Sequence, residues 1–234
     1  MINKAIILSA GQGSRLLPLT ATRPKCLIEV GGRTILDHQL DALFAADVDE
    51  VTIVTGYRSE MIDAHIAARG NKVSTLLNPR WETSSSIYSV WIARAMMSGN
   101  FVLMNGDTVY APEIIEDAIT RALSGVNLLV DTLQQVTLDD MLVAADNDVI
   151  RAVGKMLPND IATPRSLGVV IGRNEDGRYR HMLETLIDAP GGKAQFHHSI
   201  IDRLAAQQVV HALPANDAQW HEIDRPEDLE GWNG

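Results

Sequence analysis

Two glycines followed by an arginine and a lysine are the first residues in this chain whose types and spacing could do chemistry: Ser9-Ala10-Gly11-Gln12-Gly13-Ser14-Arg15, and then Lys25. Ala10, Gly11 and Gly13 let the main chain approach a phosphate closely and turn its N–H groups inward. Arg15 can grip phosphate oxygens through two parallel donors, and Lys25 adds a compact positive charge. The same pattern also describes an ordinary strand-to-helix turn whose basic residues are solvated. Two familiar phosphate loops do not fit. A P-loop requires Gly-Lys-Ser/Thr after four intervening residues, and a dinucleotide fingerprint requires a third glycine and an acid ending the second strand. The chain has Leu16 and Val54-Thr55-Gly56 at the latter two places.

Two aspartates form a second candidate set. Asp107 closes Val102-Leu103-Met104-Asn105-Gly106-Asp107, so it stands at the carboxyl end of an apolar run, where Gly106 permits close main-chain approach. Asp224 lies in Trp220-His221-Glu222-Ile223-Asp224-Arg225-Pro226-Glu227-Asp228-Leu229. Each also reads as a helix N-cap: Asp107 at a long reach from Pro112, and Asp224 at once before Arg225-Pro226-Glu227. A third stretch runs from Asn78 to Trp91, where Ser84, Ser85 and Ser86 precede an apolar helix and equally suit N-capping. Aromatic residues make up only 5% of the chain, yet Trp81, Tyr88 and Trp91 gather here and Trp220 sits beside Glu222. An aromatic cage suits a quaternary ammonium group, whereas Trp91 on a helix reads better as core. His197 and His198 lack the further ligands that zinc requires, and read as surface or pocket residues.

The elements that must position these residues alternate. Strands are expected at 4–9, 50–55, 73–77, 101–105 and 127–131, with helices over 34–46, 59–69, 86–97 and from Pro112 onward. Thr34 with Asp37 is a capping pattern, and Glu113, Glu116 and Asp117 complement the start of their helix. Such alternation implies a Rossmann-like α/β/α arrangement around a mostly parallel sheet, with ligands at the carboxyl ends of its strands. Beyond it the pattern changes to short strands at 141–145, 149–153 and 167–171, a helix over 196–207, a strand at 209–213 and a last helix after Pro226. Without an internal repeat or linker, residues 1–234 read as a single domain. Its first part, 1–131, is a nucleotide-binding core, and 132–234 form an acceptor-side lobe.

Bulk properties narrow the partners. A formal net charge of −10 argues against nucleic acid or an anionic membrane surface, both of which need a basic footprint. The apolar run at the N-terminus is too short for a signal peptide and is broken by Gly11. A single cysteine, Cys26, excludes an internal disulfide and fits a cytoplasmic setting. Nothing in the sequence decides between a monomer and a homodimer.

The stretch from Leu8 to Thr20, continued by Arg23-Pro24-Lys25-Cys26-Leu27, resembles the signature of the sugar-phosphate and phosphocholine nucleotidyltransferases. Gly31-Gly32-Arg33-Thr34-Ile35-Leu36 is similar to the turn and helix start that follow it. The resemblance implies a nucleotide-diphospho-sugar transferase type of fold and transfer of a nucleoside monophosphate from an NTP to a small phosphorylated acceptor, with release of pyrophosphate. Arg15 and Lys25 would neutralise the phosphates, and Asp107 and Asp224 would jointly hold Mg²⁺. Around Asn78-Pro79-Arg80-Trp81 the chain looks like the phosphocholine cytidylyltransferase branch, which implies CTP, with Asn78, Ser84 and Ser85 near the base. Trp81, Tyr88, His197, Trp220 and Glu222 would then face the acceptor. Phe196-His197-His198 departs from that branch, which tends to place acids there. The departure leaves room for another phosphoalkyl, phosphonate or sugar-1-phosphate acceptor, the last with UTP or dTTP. A non-catalytic nucleotide sensor on the same fold is the reading of another class.

Overall fold

A computed structural model describes residues 1–67, 72–132, 137, 139–158 and 164–232. The chain begins with β1 (Lys4–Ser9), a loop of three short 3-10 turns, the ribbon β2 (Glu29–Val30) and β3 (Arg33–Thr34), and helix α1 (Ile35–Ala45). Then come β4 (Glu50–Thr55), α2 (Ser59–Ile66), β5 (Val73–Leu77), α3 (Ser86–Ile92), β6 (Gly99–Asn105), β7 (Thr108–Tyr110), α4 (Pro112–Arg121) and β8 (Gly125–Thr132). The remainder contributes β9 (Leu142–Asp146), β10 (Val149–Gly154), β11 (Pro164–Glu175), α5 (Arg178–Asp188), α6 (His198–Ala205), β12 (Val210–Pro214) and β13 (Trp220–Glu222).

The main sheet has the order β5-β4-β1-β6-β11-β8-β12-β10-β9. β5, β4, β1 and β6 run parallel, as helical crossovers require. β11 then enters antiparallel to both β6 and β8, so the sheet is mixed rather than parallel throughout. Because β1 is covered on both faces, Ala5, Ile6 and Ile7 are wholly buried. On one face the sheet packs against Leu36 and Leu40 of α1, Ile62 of α2 and Ile114 of α4. On the other it packs against Ile87 of α3, Leu183 of α5 and Ile201 of α6. A third, smaller cluster of Leu16, Ile35, Val109, Ile223 and Trp232 lies under the glycine-rich loop and ties it to the C-terminal segment.

Expected and observed elements differ where they are short. Thr34 caps α1 as expected, its Oγ1 accepting from the Asp37 N–H at 3.0 Å. The helix expected over 59–69 ends at Ile66, and 68–69 lie outside the described residues. The helix expected over 86–97 stops at Ile92, and the last helix is only a 3-10 turn, Pro226–Leu229. α5 is an addition, formed because Tyr179, Leu183, Leu186 and Ile187 share one buried face. The three-residue strands β7 and β13 are additions too, and they prove decisive for the site. Among the described residues no helix is long and apolar enough to cross a membrane.

Candidate active site

The site is assembled at the carboxyl ends of β1 and β6, where ligands of open α/β sheets bind. The first wall is the loop after β1. Gly13 holds φ at +72°, a left-handed conformation that side-chain-bearing residues resist, and a Cβ there would lie 2.9 Å from Lys25 Cδ. The Thr20 hydroxyl donates to Gly13 O at 2.9 Å and pins the loop. At Gly11, by contrast, a Cβ would meet no heavy atom within 4 Å, so this main chain borders open space.

The second wall brings together aspartates far apart in sequence. β7 pairs antiparallel with β13, Thr108 opposite Glu222 and Tyr110 opposite Trp220, and the Ile223 N–H donates to Asp107 O at 2.9 Å. That small ribbon sets Asp107, Glu222 and Asp224 side by side. Buried Gln39, on α1, holds the turn from behind: its Nε2 donates to Asn105 O at 2.6 Å and to Thr108 O at 2.9 Å. Neither aspartate is an N-cap. α4 is capped at Ala111, and the final 3-10 turn at Arg225, where Asp228 accepts from the N–H groups of Asp224 and Arg225, both at 2.8 Å.

Lys25 Nζ stands between the two aspartates, 3.0 Å from Asp107 Oδ2 and 2.6 Å from Asp224 Oδ1. Arg15 reaches the other oxygen of Asp224 at 2.8 Å and Asp139 at 3.0 Å. Burial pulls the Lys25 ammonium down, but Asp107 and Asp224 more than offset it, and its pKa is raised above the ordinary lysine value. Glu222 moves to about 7, first through burial and then through the neighbouring charges of Asp107 and Asp224. Oxygens of Asp107, Glu222 and Asp224 all lie within 4.8 Å of one another. Three carboxylates this close together would be able to hold one divalent cation, whose charge would help neutralise phosphate oxygens. Asp107 Oδ1 is moreover buried without a partner among the described residues. An all-carboxylate donor set fits a hard cation such as magnesium.

The third wall belongs to the later part of the chain. A bulge in β11 between Ser166 and Val170 turns the start of that strand toward the cleft, which has a volume of about 230 Å³. Arg165, half-buried there, donates to Asp140 at 2.5 Å and lies 3.4 Å from Glu222. His197 and His198 also line the cleft, but both are buried rather than at the surface. Burial lowers both, His197 to about 4, so the rings are neutral near pH 7. Trp220 donates through Nε1 to Asp131 at 2.8 Å.

Other expected residues lie elsewhere. Asn78 is 1% exposed, and its amide is spent on Ser84 Oγ, Ser89 Oγ and the Arg80 N–H. It shapes the loop and offers nothing to a base. Ser84 donates to Arg80 O, and the Ser85 N–H to Lys193 O. Tyr88 is buried and stacked on Trp91, with centroids 5.5 Å apart, away from the cleft lining. Trp81 packs edge-on to Tyr57 beside Gly56 and is not among the residues lining the cleft. Sequence reasoning missed Gln39, Asp139, Asp140 and Arg165. Gln39 carried a signal, a polar side chain inside the apolar stripe of α1.

A family model described as nucleotidyl transferase matches residues 4–137. The chain is 28% identical over 235 residues to CMP-5′-(3-aminopropyl)phosphonate synthase of Streptomyces rubellomurinus, covering 96% of this chain and 37% of that protein. It is 25% identical over 228 residues to the bifunctional protein GlmU of Methanococcus vannielii, covering 96% and 53%. The chain thus spans about a third to a half of these relatives. The inositol-1-phosphate CTP transferase from T. maritima superposes with a TM-score of 0.83 over 98% of this chain and 92% of that one, at 20% identity, which shows a shared fold.

Proposed function

The chain belongs to the nucleotidyl transferase family, and on that premise we propose that it joins the nucleoside monophosphate part of an NTP, CTP by preference, to a small phosphorylated acceptor and releases pyrophosphate. One observation carries the reading: Arg15, Lys25, Asp107 and Asp224 meet through direct ion pairs at the carboxyl end of the sheet. A module that only sensed nucleotide would have no need of this full charge-neutralising set.

In the proposed reaction an oxygen of the acceptor phosphate bonds to the α-phosphorus while the bond from that phosphorus to the β-bridging oxygen breaks. The nucleophile is already ionised, so no side chain has to remove a proton, and the obstacle is repulsion between anions. Gly11 and Gly13 place main chain against the triphosphate. Arg15 and Lys25 offset charge on the phosphates and the departing pyrophosphate. Asp107, Asp224 and Glu222 would hold Mg²⁺, which supplies further neutralisation and a template for phosphate oxygens. Cys26 takes no part, since it is buried and its thiol is pushed up to about 12.

CTP is preferred because the S. rubellomurinus and T. maritima proteins are named for CMP and CTP chemistry. Phosphoalkyl and phosphonate acceptors lead. The resemblance of the Leu8–Leu27 stretch to sugar-phosphate nucleotidyltransferases keeps sugar 1-phosphates with UTP or dTTP as the second reading. The test is pyrophosphate release from each NTP and dTTP against phosphoalkyl, phosphonate, inositol phosphate and hexose 1-phosphate acceptors. CTP should give the fastest turnover, and Asp107→Asn should lower it by about 10³-fold or more with the fold intact. Silence across all pairs favours the sensor, and near-normal turnover by Asp107→Asn rejects the assigned metal ligand.

A further inference from the structure

A cage for a quaternary ammonium needs bare aromatic faces, and around this cleft those faces already carry cations of the protein itself. The Arg165 guanidinium lies 4.4 Å from the centroid of Trp220 and Lys155 lies 5.4 Å from Phe196, whereas Tyr88 and Trp91 are stacked on each other away from the cleft. Trp81 meets the edge of Tyr57. One face of each aromatic ring lining the cleft is thereby engaged by a cation of the protein, which disfavours a trimethylammonium group there.

The same cleft carries two buried polar atoms without a hydrogen-bond partner among the described residues, Arg165 Nε and His197 Nε2. Leaving such polar atoms buried and unpaired is costly, so both call for a polar group from a ligand. Arg165 cannot turn away to find one. Asp140 and Glu222 hold its other nitrogens, and Trp220 holds its plane. His197 is fixed as firmly: Ser86 Oγ accepts from its main-chain N–H at 2.9 Å and lies 3.1 Å from Nδ1. Where the serine hydroxyl donates to Nδ1, Nε2 carries the hydrogen of the neutral ring; where Nδ1 donates to the serine, Nε2 accepts, and a ligand hydroxyl can partner Nε2 in either state. Asp140 and Glu222 also absorb the charge of Arg165. What a ligand meets is the Arg165 Nε–H and a neutral imidazole nitrogen, with little net positive charge.

We infer, resting on the transfer reaction proposed above, that Arg165 and His197 are specificity-determining residues that read uncharged hydroxyl or carbonyl oxygens on the organic part of the acceptor, and that the cleft rejects a trimethylammonium group there. Three acceptors of matched length test this: 2-hydroxyethyl phosphate, phosphoethanolamine and phosphocholine. Each is measured by pyrophosphate release and, separately, by calorimetric binding to the full chain with Mg²⁺ and a non-hydrolysable CTP analogue. The hydroxyl compound should lead phosphocholine by at least ~10-fold in kcat/KM and in affinity. Arg165→Met, which keeps a packing chain over Trp220, and His197→Phe, which keeps the ring volume, should each shrink that ratio by raising KM for the hydroxyl acceptor. KM for CTP should stay unchanged. Phosphocholine as the best ligand, an equal response to all three, or ratios unmoved in both variants overturns the assignment. If the transfer reaction itself is wrong, turnover vanishes for every acceptor, and the calorimetric ranking still decides between the hydroxyl and trimethylammonium ligands.

Discussion

Lys25 occupies the place between Asp107 and Asp224 that a metal ion would take, with its ammonium 3.0 and 2.6 Å from their oxygens. The same lysine is assigned to the phosphates, so it cannot serve both partners at once. We propose that without nucleotide its ammonium would compete with a cation for these carboxylates, and that with nucleotide it would turn to the triphosphate and release them. At an effective dielectric of about 20, a unit charge at 4 Å is worth ~4 kcal/mol. Lys25→Met should therefore bind Mn²⁺ in the absence of nucleotide at least ~10-fold more tightly than the parent, as read by electron paramagnetic resonance, while turnover falls by ~100-fold or more. Unchanged or weaker Mn²⁺ binding rejects the competition. At this scale the sequence was most legible where function is local. The loop residues from Ala10 to Lys25 share one turn, and their chemistry follows from type and spacing. Arg165 and Asp140 escaped notice because their pairing depends on a bulge in β11 and on tertiary contacts that no local pattern encodes.

At the scale of elements, two glycines separate the demands of folding from those of binding. A Cβ on Gly106 would lie 2.3 Å from Ser9 Oγ and 2.4 Å from Leu8 O, between the ends of β1 and β6. Gly106→Ala should lose about 3 kcal/mol of stability in urea denaturation. Gly11→Ala meets nothing within 4 Å, so its melting temperature should stay within ~2 °C of the parent while KM for the NTP rises about tenfold, because the new methyl occupies ligand space. A melting point that falls with Gly11→Ala, or holds with Gly106→Ala, contradicts this division. The parallel strands and their helices could be read from apolar periodicity. β7 and β13 could not, since three residues leave no period to detect and their pairing spans most of the chain. The order of the later strands was equally hidden, because antiparallel β11 obeys no crossover rule that would place it.

The whole molecule feels its buried histidines. Burial holds His197 at about 4 against an ordinary 6.5, and lowers His198 as well. Above pH 6.5 both rings are neutral in folded and unfolded chains and add no pH dependence. Below it the unfolded chain takes up protons that the folded chain refuses. Stability then falls with pH, by ~1.4 kcal/mol per unit for each such group, until the folded ring also titrates. Glu222, raised to about 7, binds its proton more readily in the folded chain and so offsets one of the two rings below pH 7; urea midpoints should still drop from pH 6.5 toward 4.5, and His197→Phe should make the drop shallower. An equally steep fall in that variant places the effect in other groups. We propose that residues 1–234 form one folding unit, because the sheet interleaves the two stretches that the sequence pattern divides near residue 131: β11 from the later one lies between β6 and β8 from the earlier one.

That interleaving has a consequence for the protein as it is made. When β6 and β8 have left the ribosome, the strand that belongs between them has not been translated. At ~5–20 residues per second, the interval before β11 emerges is of the order of several seconds. Throughout it two central strands present open edges to whatever else is in the cell. The nascent chain is thus most vulnerable midway through its synthesis, and it would benefit from slow codons early or from a chaperone that shields apolar strand edges until the missing one arrives.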